Sequence, residues 1–358
     1  MGMLGRNFDR LLRTVSTDIG IDLGTANTLV YVRGRGIVLN EPTIVALNRK
    51  TGQLVAVGAA AKAMQGRTPT HIEVVRPLVE GVISDFEVTE ELLSYLIGKV
   101  RSEHRSLIAP RVLVGVPCGI TNVEMRAARD AARNAGARDV FLIEEPMAAA
   151  IGAKLPIEKA VGSMIIDIGG GTANIAVLSY GGVVTSQNLR LAGDHLSAAI
   201  TAYIRDQFKV HIGDATAEDA KVKLASIDQR EQGRDMVVRG RDVVTGLPRE
   251  VVITEVDIRT AISQSVDTIV ETVRSVLERT PPEVLADVMQ RGIHLSGGGA
   301  MIPGLAVLLE EVIRVPVIVV PDPLRAVVRG TGMVLEHLEQ YEDILIDNEG
   351  ELTPHLED

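Results

Sequence analysis

Between residues 19 and 320 the chain alternates short apolar runs with longer stretches in which apolar residues recur every three or four positions. These are the periods of buried strands and amphipathic helices. The runs predict strands at 19–32, broken by a turn at Gly24-Thr25, at 36–47 as a pair, and at 111–116, 140–143, 163–167, 175–179, 183–189, 293–295 and 315–320. Residues 236–244 and 250–254 read as a hairpin. The helical period predicts helices at 59–64, 90–105 and 195–207. A longer helix places Ile258, Ile262, Ile269, Val273 and Val276 on one face and ends at Thr280-Pro281-Pro282. Thr121 and Glu124 have capping-box spacing for a helix that stops at Gly136, and Thr216 and Asp219 suggest a second box for 216–225. Strand 140–143 runs into Glu144-Glu145-Pro146 and a helix through Ala150, with proline suited to its first turn. Strands alternating with helices predict an α/β protein.

Ahead of this pattern, residues 1–15 carry Leu4, Phe8, Leu11, Leu12 and Val15 as one helical stripe. Arg6, Arg10 and Arg13 lie about 200° around the helix. A greasy face opposed to a cationic one suits a helix lying in a membrane interface, and equally a terminal helix docked on its own protein. The segment is too short and too charged for a signal-peptide core, and Arg6 stands where myristoylation needs Ser or Thr.

Composition narrows the function classes. With 358 residues, 46% hydrophobic and 23% charged, the chain suffices for two domains and is not a disordered one. A single cysteine excludes a disulfide framework and a cysteine-rich zinc site. No apolar run approaches the roughly 20 residues of a membrane-spanning helix. Only 3% of residues are aromatic and no basic face is evident, which argues against nucleic acid as a partner. Nine acids beyond Arg329, with no Lys or Arg among them, account for nearly all of the net charge of −10. Residues 336–358 are therefore expected to form a solvated acidic tail.

The most informative feature is a duplication. Asp22-Leu23-Gly24-Thr25-Ala26-Asn27 returns as Asp167-Ile168-Gly169-Gly170-Gly171-Thr172-Ala173-Asn174, with two glycines inserted. Each copy sits between an apolar strand and a second strand, which predicts two similar domains facing across a cleft. Glycine lets backbone N–H groups approach an anion, and a turn of successive N–H groups makes a nest for phosphate oxygens. An Asp at the strand end can hold Mg²⁺ beside them, usually through water. A third run, Gly297-Gly298-Gly299-Ala300, follows another strand and is expected to wall the nucleoside. Neither a P-loop nor a Rossmann glycine pattern is present in the sequence. Glu145, where a strand meets a helix start, is placed to orient a water on a γ-phosphate; the alternative is a plain helix-start carboxylate.

These motifs together resemble the actin, Hsp70 and sugar-kinase ATPase superfamily, and within it the bacterial MreB family. The similarity runs through residues 18–28, Asn40-Glu41-Pro42, 115–121, 141–152, 245–248 and 280–283 and covers roughly 17–337. It implies an actin-like (ribonuclease H-like, duplicated) fold: two domains of two subdomains each around an ATP cleft. The expected boundaries are 17–158, with a small subdomain at about 47–79, and 159–335, with one at about 196–250; a membrane helix at 1–16 and the acidic tail flank them. The resemblance implies an ATPase that forms membrane-bound double protofilaments in the cytoplasm, peripheral on the inner face of the plasma membrane, and organises cell-wall synthesis with MreC, MreD and RodZ. It makes Asp22 and Asp167 the Mg²⁺-side carboxylates, Gly24, Thr25, Ala26 and Asn27 the first phosphate turn, and Gly169, Gly170, Gly171 and Thr172 the second. Glu145 and Thr172 match the pair that positions water, with Asp167 beside them. Glu218 and Lys221 match the nucleoside contacts, and Gly297, Gly298, Gly299, Ala300 and Met301 the adenine loop. The stripe of residues 1–15 and Leu107-Ile108 match two membrane-insertion elements.

The sequence also departs from the family. Ala173 and Asn174 replace a hydroxyl and a carboxylate usual after Thr172, His195 and Ser197 stand where acids are common, and Lys223 replaces a usual Glu. Two other readings stay open from sequence: a soluble sugar kinase of the same superfamily, and a chaperone-like ATPase, for which the chain lacks a peptide-binding domain.

Overall fold

The computed structural model describes residues 17–104, 108–230 and 233–346. The helix expected at 1–15, Leu107 and the last twelve residues lie outside the described residues.

Two five-stranded sheets of one plan form the body. In the first, Ile19–Leu23, Asn27–Val32 and Gly36–Pro42 make an antiparallel meander, and Arg111–Val116 and Asp139–Glu144 add in parallel on the other side. In the second, Ser163–Ile168, Ala173–Ser179 and Gly182–Leu189 repeat the meander, and Ile293–Ser296 and Val317–Val319 add in parallel. The duplicated sequence unit is thus a duplicated fold unit. Arg111–Val116 and Ser163–Ile168 are buried along their whole length, which is why they read as unbroken apolar runs rather than alternating ones. A three-stranded sheet of Val45–Asn48, Leu54–Val57 and Ile72–Val75 lies off the first body sheet; another of Val210–His211, Asp235–Asp242 and Pro248–Thr254 lies off the second.

Helix ends follow from capping. Thr121 caps Asn122–Asn134 in a complete box with Glu124, and Gly136 takes up the left-handed turn after it. Thr254 and Asp257 form a second complete box at the start of Glu255–Glu278, a signal not used in the sequence reading. The box expected at Thr216 and Asp219 is not formed. Its helix starts earlier, at Asp214 after Gly213, so Thr216 is already inside it, and Asp219 pairs with Lys223 four residues on (2.7 Å). Pro281-Pro282 both ends one helix and opens the next, Pro282–Arg291, because proline needs no partner for an N–H in a first turn.

Two helices lie between the body sheets. Glu145–Gly152 and Ala326–Glu336 pack on Leu113 and Ile143 of the first sheet and on Ile165, Ala176 and Leu178 of the second. They cross backbone to backbone: a Cβ on Gly330 would strike the Ala148 carbonyl, and one on Gly152 the Ala326 carbonyl. Over residues 337–346, the described part of the expected acidic tail, the chain is anchored rather than fully solvated. Leu338, Tyr341, Ile344 and Leu345 pack on the same core, and the Ile346 N–H donates to the Leu142 carbonyl (2.9 Å). Apolar residues between the acids supply the anchor that net charge hides.

Candidate functional site

The site grows from the two hairpin turns. In the first, Asp22 stands in the strand and Gly24, Thr25 and Ala26 turn the chain toward Asn27. Thr43 fastens the turn from behind: its hydroxyl donates to the Gly24 carbonyl (2.6 Å) and its N–H to the Ala26 carbonyl (3.0 Å). Thr25 Oγ1 accepts from the Gly81 N–H (3.0 Å), and the Asn27 amide donates to Asn40 (2.7 Å). In the second turn the Gly169 N–H donates to the Thr172 carbonyl (2.8 Å). The carbonyls of Gly169 and Gly170 accept from the Gly193 and Asp194 N–H groups, which open helix Gly193–Phe208 (3.2 and 2.7 Å). Both turns spend carbonyls on the protein, which suits a turn that offers N–H groups to an anion.

The two turns meet. A Cβ on Gly170 would lie 2.7 Å from the Ala26 Cβ, and one on Gly171 would strike the Thr25 hydroxyl. Only a residue without a side chain permits that approach. Both turns line a cleft of about 910 Å³, within the range of small-molecule sites. Asp22, Glu145, Asp167, Glu218, Lys221, Gly297, Gly298, Gly299 and Met301 line it too. Ala300 does not: it is buried behind its own loop. Ile108 is half-buried and is not among the residues lining the cleft.

Three carboxylates converge on the cleft, and burial works against the charge of each. Burial, and then the neighbouring Asp167, push the Asp22 carboxyl up to about 8. Burial pushes Asp167 up to about 6, opposed by the Ser296 hydroxyl, which donates to its Oδ1 (2.6 Å). Glu145 is pushed well up by burial, then by Asp22 and Asp167, and the Asn174 amide pulls it back by donating to its Oε2 (2.7 Å). Such a group gains its charge when a cation arrives. Among the described residues no three side chains enclose an ion by themselves. The donor set therefore fits Mg²⁺ held through water and by a ligand's own oxygens, the usual manner of that ion.

On the far wall Lys221 Nζ donates to Glu218 Oε2 (2.6 Å) and to the Gly193 carbonyl (2.8 Å), and Ser197 donates to the same Glu218 oxygen (2.8 Å). Burial works against the Glu218 charge, yet Lys221 and Ser197 hold it below the usual carboxylate range. Sequence reasoning missed Thr43, Lys62, Arg76 and Leu324, which the fold brings to the cleft or behind it. Thr43 follows the Asn40-Glu41-Pro42 motif directly, so position there was its signal; Lys62 lies in the helix predicted at 59–64, and Arg76 and Leu324 come from segments with no pattern of their own.

Known proteins extend the picture. A family model described as MreB/Mbl protein matches residues 16–343. The chain is 47% identical over 324 residues to the cell shape-determining protein Mbl of Bacillus cereus, a span of 90% of this chain and 97% of that one. Structures of MreB5 of Spiroplasma citri bound to ADP and to AMPPNP align with TM-scores of 0.86 and 0.85, at 38% and 37% identity. Each alignment covers 92% of this chain and 98% of the other.

Proposed function

The chain belongs to the MreB/Mbl family, and on that premise we propose that it is a cytoskeletal ATPase that binds ATP with Mg²⁺, hydrolyses it to ADP and phosphate, and assembles into double protofilaments that organise wall synthesis and cell shape. Its fold is the duplicated, actin-like α/β fold expected from the sequence. The observation that carries the proposal is the meeting of two glycine turns and three desolvated carboxylates in one cleft. Relatives solved with ADP and AMPPNP, and one named for determining cell shape, support it. A family match over residues 16–343 does not favour the sugar-kinase reading.

In this reading residues 17–158 and 159–335 are the two domains, with 47–79 and 196–250 as their small subdomains. The turns at Gly24–Asn27 and Gly169–Thr172 bind phosphate oxygens through backbone N–H groups, apart from that of Gly169, which the Thr172 carbonyl holds. Glu145, as a carboxylate, accepts a hydrogen bond from the attacking water and orients it in line with the γ-phosphate, and the Thr172 hydroxyl holds the same water. Asp22 and Asp167 would hold Mg²⁺ through water. When bound, Mg²⁺ supplies charge neutralisation for the phosphate oxygens and for those two acids. Glu218 and Lys221 hold the nucleoside, and the loop from Gly297 to Met301 flanks the base.

The protein works in the cytoplasm, peripheral on the inner face of the plasma membrane, attached by the stripe of residues 1–15 and by Leu107-Ile108, with MreC, MreD and RodZ as partners. The opposed apolar and cationic faces of residues 1–15 support this attachment. No helix among the described residues is long and apolar enough to cross a membrane.

The test is electron microscopy of the purified chain on anionic liposomes with ATP and Mg²⁺, beside phosphate release from the same sample. Filaments on lipid with phosphate release are expected. Liposome binding unchanged by removal of residues 1–16 sinks the attachment, and sugar-dependent ADP formation without polymer favours the kinase.

A further inference from the structure

Asn174 opens the second body-sheet hairpin beyond the phosphate turn and is fully buried. A buried amide is costly unless its donors and acceptor find partners. Here the partners are telling. Asn174 Nδ2 donates to Glu145 Oε2 (2.7 Å), its Oδ1 accepts from the Cys118 N–H (3.2 Å), and the Cys118 thiol lies 3.4 Å from the same oxygen. An acceptor on one side and donors on the other allow only one orientation of the amide.

Its cross-strand partner adds to the grip. Asn188 pairs directly with Asn174, and its Nδ2 donates to the Cys118 carbonyl (3.3 Å). Two asparagines of the second sheet therefore hold both polar sides of one residue that follows the first sheet's Arg111–Val116 strand. Asn188 Oδ1 is buried with no hydrogen-bond partner among the described residues, so this side chain serves Cys118 at the expense of its own satisfaction.

We propose that Asn174 is a positioning residue for Glu145, and that Asn174 and Asn188 clamp the Cys118 residue so that the hydrolytic carboxylate is set only while the two sheets are held together. The proposal rests on the hydrolytic reading of Glu145. The amide occupies one carboxylate oxygen and leaves the other for water. An Asp at the same place keeps the size and the acceptor for Cys118 but has no donor for Glu145 and adds a like charge.

Asn174→Ala, Asn174→Asp and Asn188→Ala are compared with the parental chain for ATP affinity and for phosphate release at saturating ATP. Both Asn174 variants should lose about tenfold in kcat, the size of one charge-assisted hydrogen bond, with ATP affinity within about twofold. Asn188→Ala should lose about threefold, since it acts one residue removed. The decisive readout is a cycle with Glu145→Gln: in that background Asn174→Ala should cost nothing further. An equal further loss there, or loss of ATP affinity together with turnover, makes Asn174 merely structural and overturns the proposal. Turnover at the parental rate in both Asn174 variants overturns it as well. Where Asn174→Asp is not recovered folded, Asn174→Ala carries the same comparison. A parental chain that binds ATP and never releases phosphate instead overturns the hydrolytic reading, and the positioning role with it.

Discussion

The backbone of Gly170 lies so close to Ala26 that an added Cβ would stand 2.7 Å from the alanine's Cβ and 3.0 Å from its nitrogen. The two glycine turns therefore form one surface rather than two facing ones. Gly170→Val should part them. ATP affinity should fall about tenfold or more, because two nests no longer address one anion. Titration with a fluorescent ATP analogue checks this, and unchanged affinity would show that the turns bind independently.

Glu145→Ala should leave nucleotide affinity near the parental value and suppress phosphate release by at least about a hundredfold, the usual scale for a group that acts on the attacking water. Single-turnover release separates this from a binding defect. Release at the parental rate would remove Glu145 from the reaction.

The Asp22 carboxyl, ordinarily near 3.8, is pushed up to about 8 in the folded chain. The folded state thus binds the proton more tightly than the unfolded one, so the stability from this group is full below about 3.8 and lost as pH rises through about 8. Without nucleotide, Asp22→Asn should raise Tm relative to the parental chain more at pH 8 than at pH 5. Magnesium ATP should narrow the difference at pH 8, and chelation should restore it. A gain independent of pH would contradict the sign.

Thr254→Ala removes one half of the capping box with Asp257 at the start of the Glu255–Glu278 helix. The expected cost is about 1 kcal/mol of stability, read from urea unfolding, with phosphate release unchanged.

Much of the plan was legible because it was local. The meander strands, the Thr121 box and both glycine turns each announce themselves within a few residues. Every predicted nucleotide-side residue lines the cleft except Ala300, whose small side chain turns inward behind its loop. What stayed hidden was non-local. The Thr216 box failed because an earlier start at Asp214 takes precedence, and periodicity locates a helix better than its first residue. Over residues 337–346 net charge hides the apolar residues between the acids, which anchor that stretch. Asn174 looked like the loss of a carboxylate. Its meaning lies in Cys118 and Glu145, which are 56 and 29 residues away and are brought to it only by the approach of the two sheets.

The crossing of Glu145–Gly152 with Ala326–Glu336 has no side chain between its backbones, so neither helix can shift against the other there without a clash. Ala148, the point of contact with Gly330, is one helical turn from Glu145. The carboxylate proposed to orient water is thereby held in place from behind by backbone contact. Arg76 and Asp194, an exposed pair 3.1 Å apart, join the rim of the same cleft. In the proposed ATPase, widening the cleft at that rim would therefore cost no more than a surface ion pair, while the crossing keeps Glu145 where it is.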